Sequence, residues 1–258
     1  MDLQLNGKTA LVTGSTAGIG LAIAEVLAKE GAAVIVNGRT EERVRAAMKT
    51  SGAAHGVAAD LATEAGARTL IAQFGQVDIL INNLGIFEPK PFAEITDDDW
   101  RRFFEVNVLS GVRLSRHYIG PMQQRNWGRI VFISSESALQ IPPEMIHYGM
   151  TKTAQLAISR GLAETTAGTG VTVNAVLPGP TASEGVTGFV EQLAKDQGAD
   201  TASIEREFFR STRPSSLIKR FATPGEVAGV VAFVCSPLAA AINGTALRVD
   251  GGVVRSIA

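Results

Sequence analysis

The sequence is poor in the residues that cross-link or metallate a fold. Its single cysteine, Cys235, excludes an internal disulfide and fits a reducing compartment. Within an apolar stretch that thiol reads as a small buried hydrophobe. The three histidines, His55, His117 and His147, have no partner at ligand spacing, and neither H-E-x-x-H nor C-x-x-C occurs, so no metal is expected. The G-x-S-x-G elbow of serine hydrolases is also missing. Neither sign of charge is in excess: 24 basic against 25 acidic residues give a net charge of -1. Such a balance lacks the basic surface that a nucleic acid or an anionic membrane would favour. The longest apolar run, from Val227 to Ile242, is broken by Ser236 and Pro237 and falls short of the ~20 residues of a membrane span. The opening MDLQLNGKTALV has no basic segment leading into an apolar one, so no secretory signal is expected. A soluble cytoplasmic protein is the expectation.

What the chain does have is alternation. Short apolar runs recur at 9–13 (TALVT), 33–37 (AVIVN), 56–60 (GVAAD), 78–82 (DILIN), 129–134 (RIVFIS), 171–176 (VTVNAV) and 246–250 (ALRVD). Most are continuously apolar, as parallel strands covered on both faces require. Helix-like segments lie between them at 18–30, 41–50, 63–74, 97–125 and 148–168. Thr40 before two Glu, and Thr96 before three Asp, have the form of N-caps with acidic first turns. The pattern predicts an α/β fold: a single Rossmann-type domain over 1–258, with a doubly wound parallel sheet of about seven strands and helices on both faces. The rhythm breaks only at 180–222, a long mixed segment with Phe189, Phe208 and Phe209 among many charges. It is read as a substrate-binding lid, with a purely structural insertion as the alternative.

The first strand runs into TGSTAGIG (13–20) and then a helix. The glycines are Gly14, Gly18 and Gly20, which is not the G-x-G-x-x-G spacing of the general dinucleotide fingerprint. The physics carries over: glycines permit the tight turn and the close approach of a pyrophosphate, and the helix N-terminus offers it N–H groups. Ser15, Thr16 and Ile19 share that turn. The second strand ends Asn37-Gly38-Arg39, with no acid to hold a ribose 2′-hydroxyl. A guanidinium there suits a 2′-phosphate, so NADP(H) is favoured and NAD(H) remains possible. The alternative is that Arg39 is a solvated surface charge. Asp60, before Leu61, either accepts from an adenine amino group or caps the next helix.

These motifs together resemble the classical short-chain dehydrogenases/reductases over essentially the whole chain. TGSTAGIG matches the family's T-G-x-x-x-G-x-G, and NNLG (82–85) resembles its N-N-A-G. Ser135 lies thirteen residues before Tyr148, and YGMTK (148–152) is the family's Y-x-x-x-K. NAVLPGPT (174–181) and VDGG (249–252) are further landmarks. The resemblance implies catalytic Asn107, Ser135, Tyr148 and Lys152. It also implies cofactor contacts from Asn83, Gly85, Pro178, Gly179 and Thr181, and from Tyr148 and Lys152 themselves. Ser135 would bond the substrate oxygen, Lys152 the nicotinamide ribose, and Asn107 would support a water link to Lys152. Leu84 departs from the family's Ala and is a bulkier neighbour for the cofactor. The family commonly forms tetramers through helices matching 97–125 and 148–168 and the C-terminal strand.

Tyr148 and Lys152, at i and i+4, share a helix face. An ammonium at ~4 Å interacts with a phenolate by about 4 kcal/mol at an effective dielectric near 20. Half of that lowers a tyrosine pKa by roughly 1.5 units, so Tyr148 is expected to act as general acid and base with a lowered pKa. The expected substrate neighbours are Ile86, Phe87, Leu139, Ile141, Pro142, Met145 and Pro180, an apolar set that suggests a carbonyl or secondary alcohol with a hydrophobic body. His147 is read as a rim residue. Relatives that reduce 3-oxoacyl chains on acyl carrier protein often carry Arg at positions matching Asn126 and Thr169, which weakens that alternative here. An NAD-linked alcohol dehydrogenase and a non-catalytic cofactor-binding sensor are the other readings.

Overall fold

The computed structural model describes residues 2–257; the side chains of Phe189 and Gln197 lie outside the described residues. Seven parallel strands form one sheet: β1 (Thr9–Val12), β2 (Ala33–Gly38), β3 (His55–Ala58), β4 (Ile79–Asn82), β5 (Gly128–Ile133), β6 (Val171–Pro178) and β7 (Ala246–Val249). Their spatial order is β3-β2-β1-β4-β5-β6-β7. The chain therefore winds outward from β1, returns past it, and winds the other way from β4, leaving a crevice between the strand ends where ligands bind in such sheets.

Side-chain alternation explains the continuous apolar runs. Ala10, Val12, Val34, Val36, Ile79, Ile81, Val131 and Ile133 face one core, with Ile23 and Leu27 of α1 (Gly18–Lys29), Val44 of α2 (Glu41–Ser51) and Val227 and Val231 of α9 (Pro224–Cys235). Leu11, Ile35, Leu80, Ile130 and Phe132 face the other, against Leu70 of α3 (Glu64–Gln73) and Leu114, Tyr118 and Met122 of α5 (Ser110–Gln124). The inner strands β1, β2, β4, β5 and β6 are thus buried on both faces, as period-2 geometry in a covered sheet demands, while the edge strands β3 and β7 are more open. Cys235 belongs to the first core, and burial pushes its thiol up to about 12.

Both expected caps are present. Thr40 accepts from the Arg43 N–H, and Thr96 and Asp99 form a reciprocal capping box at α4 (Asp97–Phe104). The expected single helix over 97–125 is instead two, α4 and α5, joined by a π-helical turn, Glu105–Leu109. This wider turn carries Asn107, whose side chain is drawn onto the backbone of Ile86. Helix α6 (Ile146–Thr165) carries Tyr148 and Lys152. The 180–222 segment is largely helical, with α7 (Glu184–Gln197) and α8 (Thr201–Ser211) standing over the crevice end of β6. No helix among the described residues is long and apolar enough to cross a membrane.

Candidate active site

At the β1 exit, Gly14 and Gly18 adopt left-handed φ values of 58° and 56°. At Gly20 a Cβ would stand 2.6 Å from the Gly14 carbonyl oxygen, so only glycine lets α1 start this close to the turn. The N-cap of α1 is Ala17, which has no side chain to offer, so the leading N–H groups are left to an anionic ligand. Ser15, Asn37 and Asn83 also hold the framework of this turn. The Ser15 hydroxyl donates to Val12 O at 2.7 Å and accepts from the Asn37 N–H at 2.9 Å. The buried Asn37 amide donates to Val57 O and Ala59 O at 3.1 Å each. Asn83 donates to Thr13 O at 2.9 Å and Gly14 O at 3.0 Å, tying β4 to the turn.

Arg39 is exposed just past β2, and Thr16 packs against Gly38 beside it. Arg43, one turn into α2, pairs with Glu184 of α7 at 3.3 Å and is a second cation near this tip that the sequence reading missed. Asp60 is exposed and accepts from the Ala62 N–H, while the helix cap that follows is Thr63. Leu61 is buried in the second core. Leu84 packs on that same core and against Gly14, and does not line the cavity described next.

A cavity of about 750 Å³ lies over the ends of β4, β5 and β6. It is lined by Ile19, Asn83, Gly85, Ser135, Tyr148, Lys152, Pro178, Gly179 and Thr181 from the sheet side. Val186, Val190, Leu193, Phe208 and Phe221 close it from the 180–222 segment. Among the expected substrate neighbours, Ile86, Phe87, Met145 and Pro180 line it. Leu139, Ile141 and Pro142 do not: Leu139 and Ile141 lie on the surface, Ile141 over Gly149, and Pro142 is buried elsewhere. At Gly179 a Cβ would fall 2.6 Å from Asp250 O, so glycine is what lets the chain leave β6 beside the VDGG segment.

Ser135, Tyr148 and Lys152 converge in this cavity. The Ser135 hydroxyl donates to Glu136 Oε2 at 2.5 Å and accepts from the Ser137 N–H at 3.1 Å. Lys152 is 4% exposed; its Nζ donates to Ile133 O at 2.9 Å and Gln155 Oε1 at 3.3 Å, 5.6 Å from the Tyr148 ring centre. Burial pushes the ammonium down to about 7. Tyr148 does not have the lowered pKa expected: burial and the Glu136 carboxylate push its hydroxyl above the ordinary tyrosine value, against the opposing pull of the Ser135 hydrogen bond and Arg213.

Asn107 is buried, its amide engaged by the Ile86 backbone and by Thr151 at 3.0 Å. Its link to Lys152 runs through a side chain: Gln155 Nε2 donates to Asn107 O at 2.6 Å while Gln155 Oε1 accepts from Lys152. Sequence reasoning missed Gln155, although its i+3 spacing from Lys152 puts both on one helix face. It also misplaced His147, which is fully buried against the rings of Phe103 (4.1 Å) and Trp100 (6.0 Å) rather than at the rim. Glu136 and Arg213 were likewise passed over.

This arrangement can hold a dinucleotide along the turn and present a phenol and a hydroxyl to one substrate oxygen. Comparison with known proteins places the chain in a family. The family model for short chain dehydrogenases matches residues 8–194. An uncharacterized oxidoreductase of Bacillus subtilis, YvaG, is 51% identical over the full length of both chains. The 3-oxoacyl-[acyl-carrier-protein] reductase FabG of Aquifex aeolicus is 36% identical, covering 98% of this chain and all of that protein. Among solved structures, L-sorbose reductase from Gluconobacter frateurii, in complex with NADPH and L-sorbose, superimposes with a TM-score of 0.92 at 33% identity, covering all of both chains.

Proposed function

Because this chain belongs to the short-chain dehydrogenase family, whose members are NAD(P)-dependent dehydrogenases and reductases, we propose that it interconverts a carbonyl and a secondary alcohol using NADP(H), with Tyr148 as general acid and base. The observation that carries this reading is the meeting of Ser135, Tyr148 and Lys152 with Asn83, Gly85 and Gly179 around one cavity. When bound, the nicotinamide supplies or accepts the hydride. In reduction Tyr148 gives its phenolic proton to the carbonyl oxygen, and its raised pKa keeps that proton in place at neutral pH. Ser135 holds the same oxygen. The Lys152 ammonium, tied to Ile133 O and Gln155, favours the phenolate left behind and reaches for the cofactor ribose.

The glycine turn, with Thr16, Gly18 and Ile19, would receive the pyrophosphate, and exposed Asp60 would flank the adenine. Arg39 meets the 2′-phosphate, with Arg43 close by; no acid occupies the β2 tip to repel it. Helices α7 and α8 act as a lid whose apolar side chains fit a substrate with a hydrophobic body. Side-by-side fluorescence titrations with NADPH and NADH test the cofactor reading. Tenfold tighter NADPH binding, about 1.4 kcal/mol, is expected. Equal or tighter NADH binding would leave Arg39 a surface charge, and binding of neither would remove the enzyme reading.

A further inference from the structure

The serine assigned to the reacting oxygen is hydrogen-bonded to a buried carboxylate inside a largely apolar chamber. Glu136 is 5% exposed, lines the cavity, and takes the Ser135 hydroxyl hydrogen on Oε2 at 2.5 Å. Its Oε1 lies 3.5 Å from Arg213 Nε, longer than an ordinary hydrogen bond. Arg213, itself nearly buried, donates instead to Glu144 Oε1 at 3.1 Å. Glu136 and Glu144 stand between β5 and α6, whereas Arg213 follows α8 in the covering segment, so the three groups form a polar corner between scaffold and lid.

The charges and acceptors of this corner point to one kind of ligand group. Two carboxylates against one guanidinium leave it one negative charge in excess, which repels a substrate carboxylate or phosphate. A carboxylate has about four lone-pair sites. Glu136 uses one on Ser135 and holds Arg213 loosely, so acceptor sites of a carboxylate that lines the cavity stay open to a ligand. What answers them is a neutral donor, a hydroxyl. Its place on the substrate follows from the spacing: Ser135 Oγ and Glu136 Oε2 are one hydrogen-bond length apart, as are the oxygens on adjacent carbons of a hydroxy ketone or diol.

We propose that the substrate carries a hydroxyl on the carbon next to the reacting carbonyl; this hydroxyl replaces Ser135 as the donor to Glu136, and the Ser135 hydrogen turns to the carbonyl oxygen, which lies between Ser135 and Tyr148. The site is then selective for α-hydroxy ketones in reduction and vicinal diols in oxidation, with Arg213 bracing the Glu136 carboxylate from the lid. The inference rests on the assignment of Ser135 and Tyr148 to the reacting oxygen.

The test compares three matched ketones with the purified protein and NADPH: 2-hydroxyacetophenone, acetophenone and benzoylformate. A hydrogen bond to a charged acceptor is worth roughly 10–100-fold, so kcat/KM for the hydroxy ketone is expected to exceed that for acetophenone by at least tenfold, with benzoylformate the poorest. In Glu136→Ala the ratio of hydroxy ketone to plain ketone should fall towards one. Glu136→Gln, which keeps an acceptor oxygen without the charge, should retain part of the preference and admit benzoylformate more readily. Because each ratio is taken within one protein, loss of folded material does not imitate the effect. Should the alanine variant fail to fold, the wild type and the glutamine variant decide. Acetophenone reduced as well as its hydroxy analogue would overturn the inference and leave the reaction assignment standing. Reduction of no ketone with either NADPH or NADH would overturn both.

Discussion

Lys152 offers the most direct test of the site's electrostatics, because its placement has a consequence for stability as well as for catalysis. Its ammonium is 4% exposed and makes two hydrogen bonds, to Ile133 O and Gln155 Oε1, and burial lowers its pKa from 10.5 to about 7. In the unfolded chain it keeps its proton up to about pH 10. Between those two values the unfolded state binds more protons than the folded one, so stability rises with pH through this window and is lost as pH falls towards 7. From pH 7 to 9.5 the folded lysine goes from half-protonated to almost neutral, and the accumulated proton difference is about two pH units' worth. At about 1.4 kcal/mol per unit, the wild type should gain about 3 kcal/mol over that interval from this residue.

The perturbation is Lys152→Met, which preserves the length of the stem and removes the titrating group. The measurement is urea unfolding at matched protein concentration, followed by tryptophan fluorescence from Trp100 and Trp127, at pH 7.0, 8.0, 9.0 and 9.5. The difference between wild type and variant should shift by about 3 kcal/mol across the series, the wild type gaining towards alkaline pH. Cys235, whose thiol is pushed up by burial, is common to both proteins and cancels from the difference. Tyr148 is raised above its ordinary value and loses its unfolded-state proton only near pH 10, outside the window. The slope carries the information rather than the stability at one pH, because methionine also leaves Ile133 O and Gln155 Oε1 without a donor, at about 1–3 kcal/mol each. Curves that stay parallel within about 0.5 kcal/mol would refute the reasoning, since the folded lysine would then keep its proton as the unfolded one does.

Tyr148→Phe should retain cofactor affinity but lose about 10²–10⁴ in kcat, read by steady-state assay on the ketones above; unchanged turnover would take Tyr148 out of the mechanism. Arg39→Asp should reverse the preference between NADPH and NADH in the fluorescence titration, and a surviving preference would shift the phosphate contact to Arg43. His147→Phe should flatten the acid side of the stability profile. The wild-type imidazole is fully buried with both ring nitrogens unbonded, and desolvation lowers its pKa below 6.5 against the pull of Asp99 and Glu88. The unfolded state therefore binds the extra proton first, and wild-type stability should fall below pH 6.5 by up to ~1.4 kcal/mol per unit. Thermal unfolding from pH 7 to 5 checks this, and identical acid slopes in the two proteins would count against it.

The strand framework was legible because its cause is local and periodic. Successive residues such as Ala10, Leu11 and Val12 alternate between two covered faces, so the inner strands show as apolar runs. Tyr148 and Lys152 were legible for a similar reason, since four-residue spacing on a helix fixes their shared face before any packing is known. What stayed hidden depends on contacts between distant segments. The wide turn at Asn107 is held by hydrogen bonds to Ile86 and Thr151, 21 and 44 residues away, and no helix propensity marks it. His147 lies one step round the helix from Tyr148, and what buries it is the packing of α4, with Trp100 and Phe103, over that face. Glu136 was in plain view beside Ser135, but a glutamate after a strand reads as solvated until the chain some 77 residues on brings Arg213 and the lid over it. Residue type shows which groups are able to pair; the covering segment decides that these pair out of water. The 180–222 side of the cavity is thus where distant chain segments meet, and the sheet side is where the spacing is local.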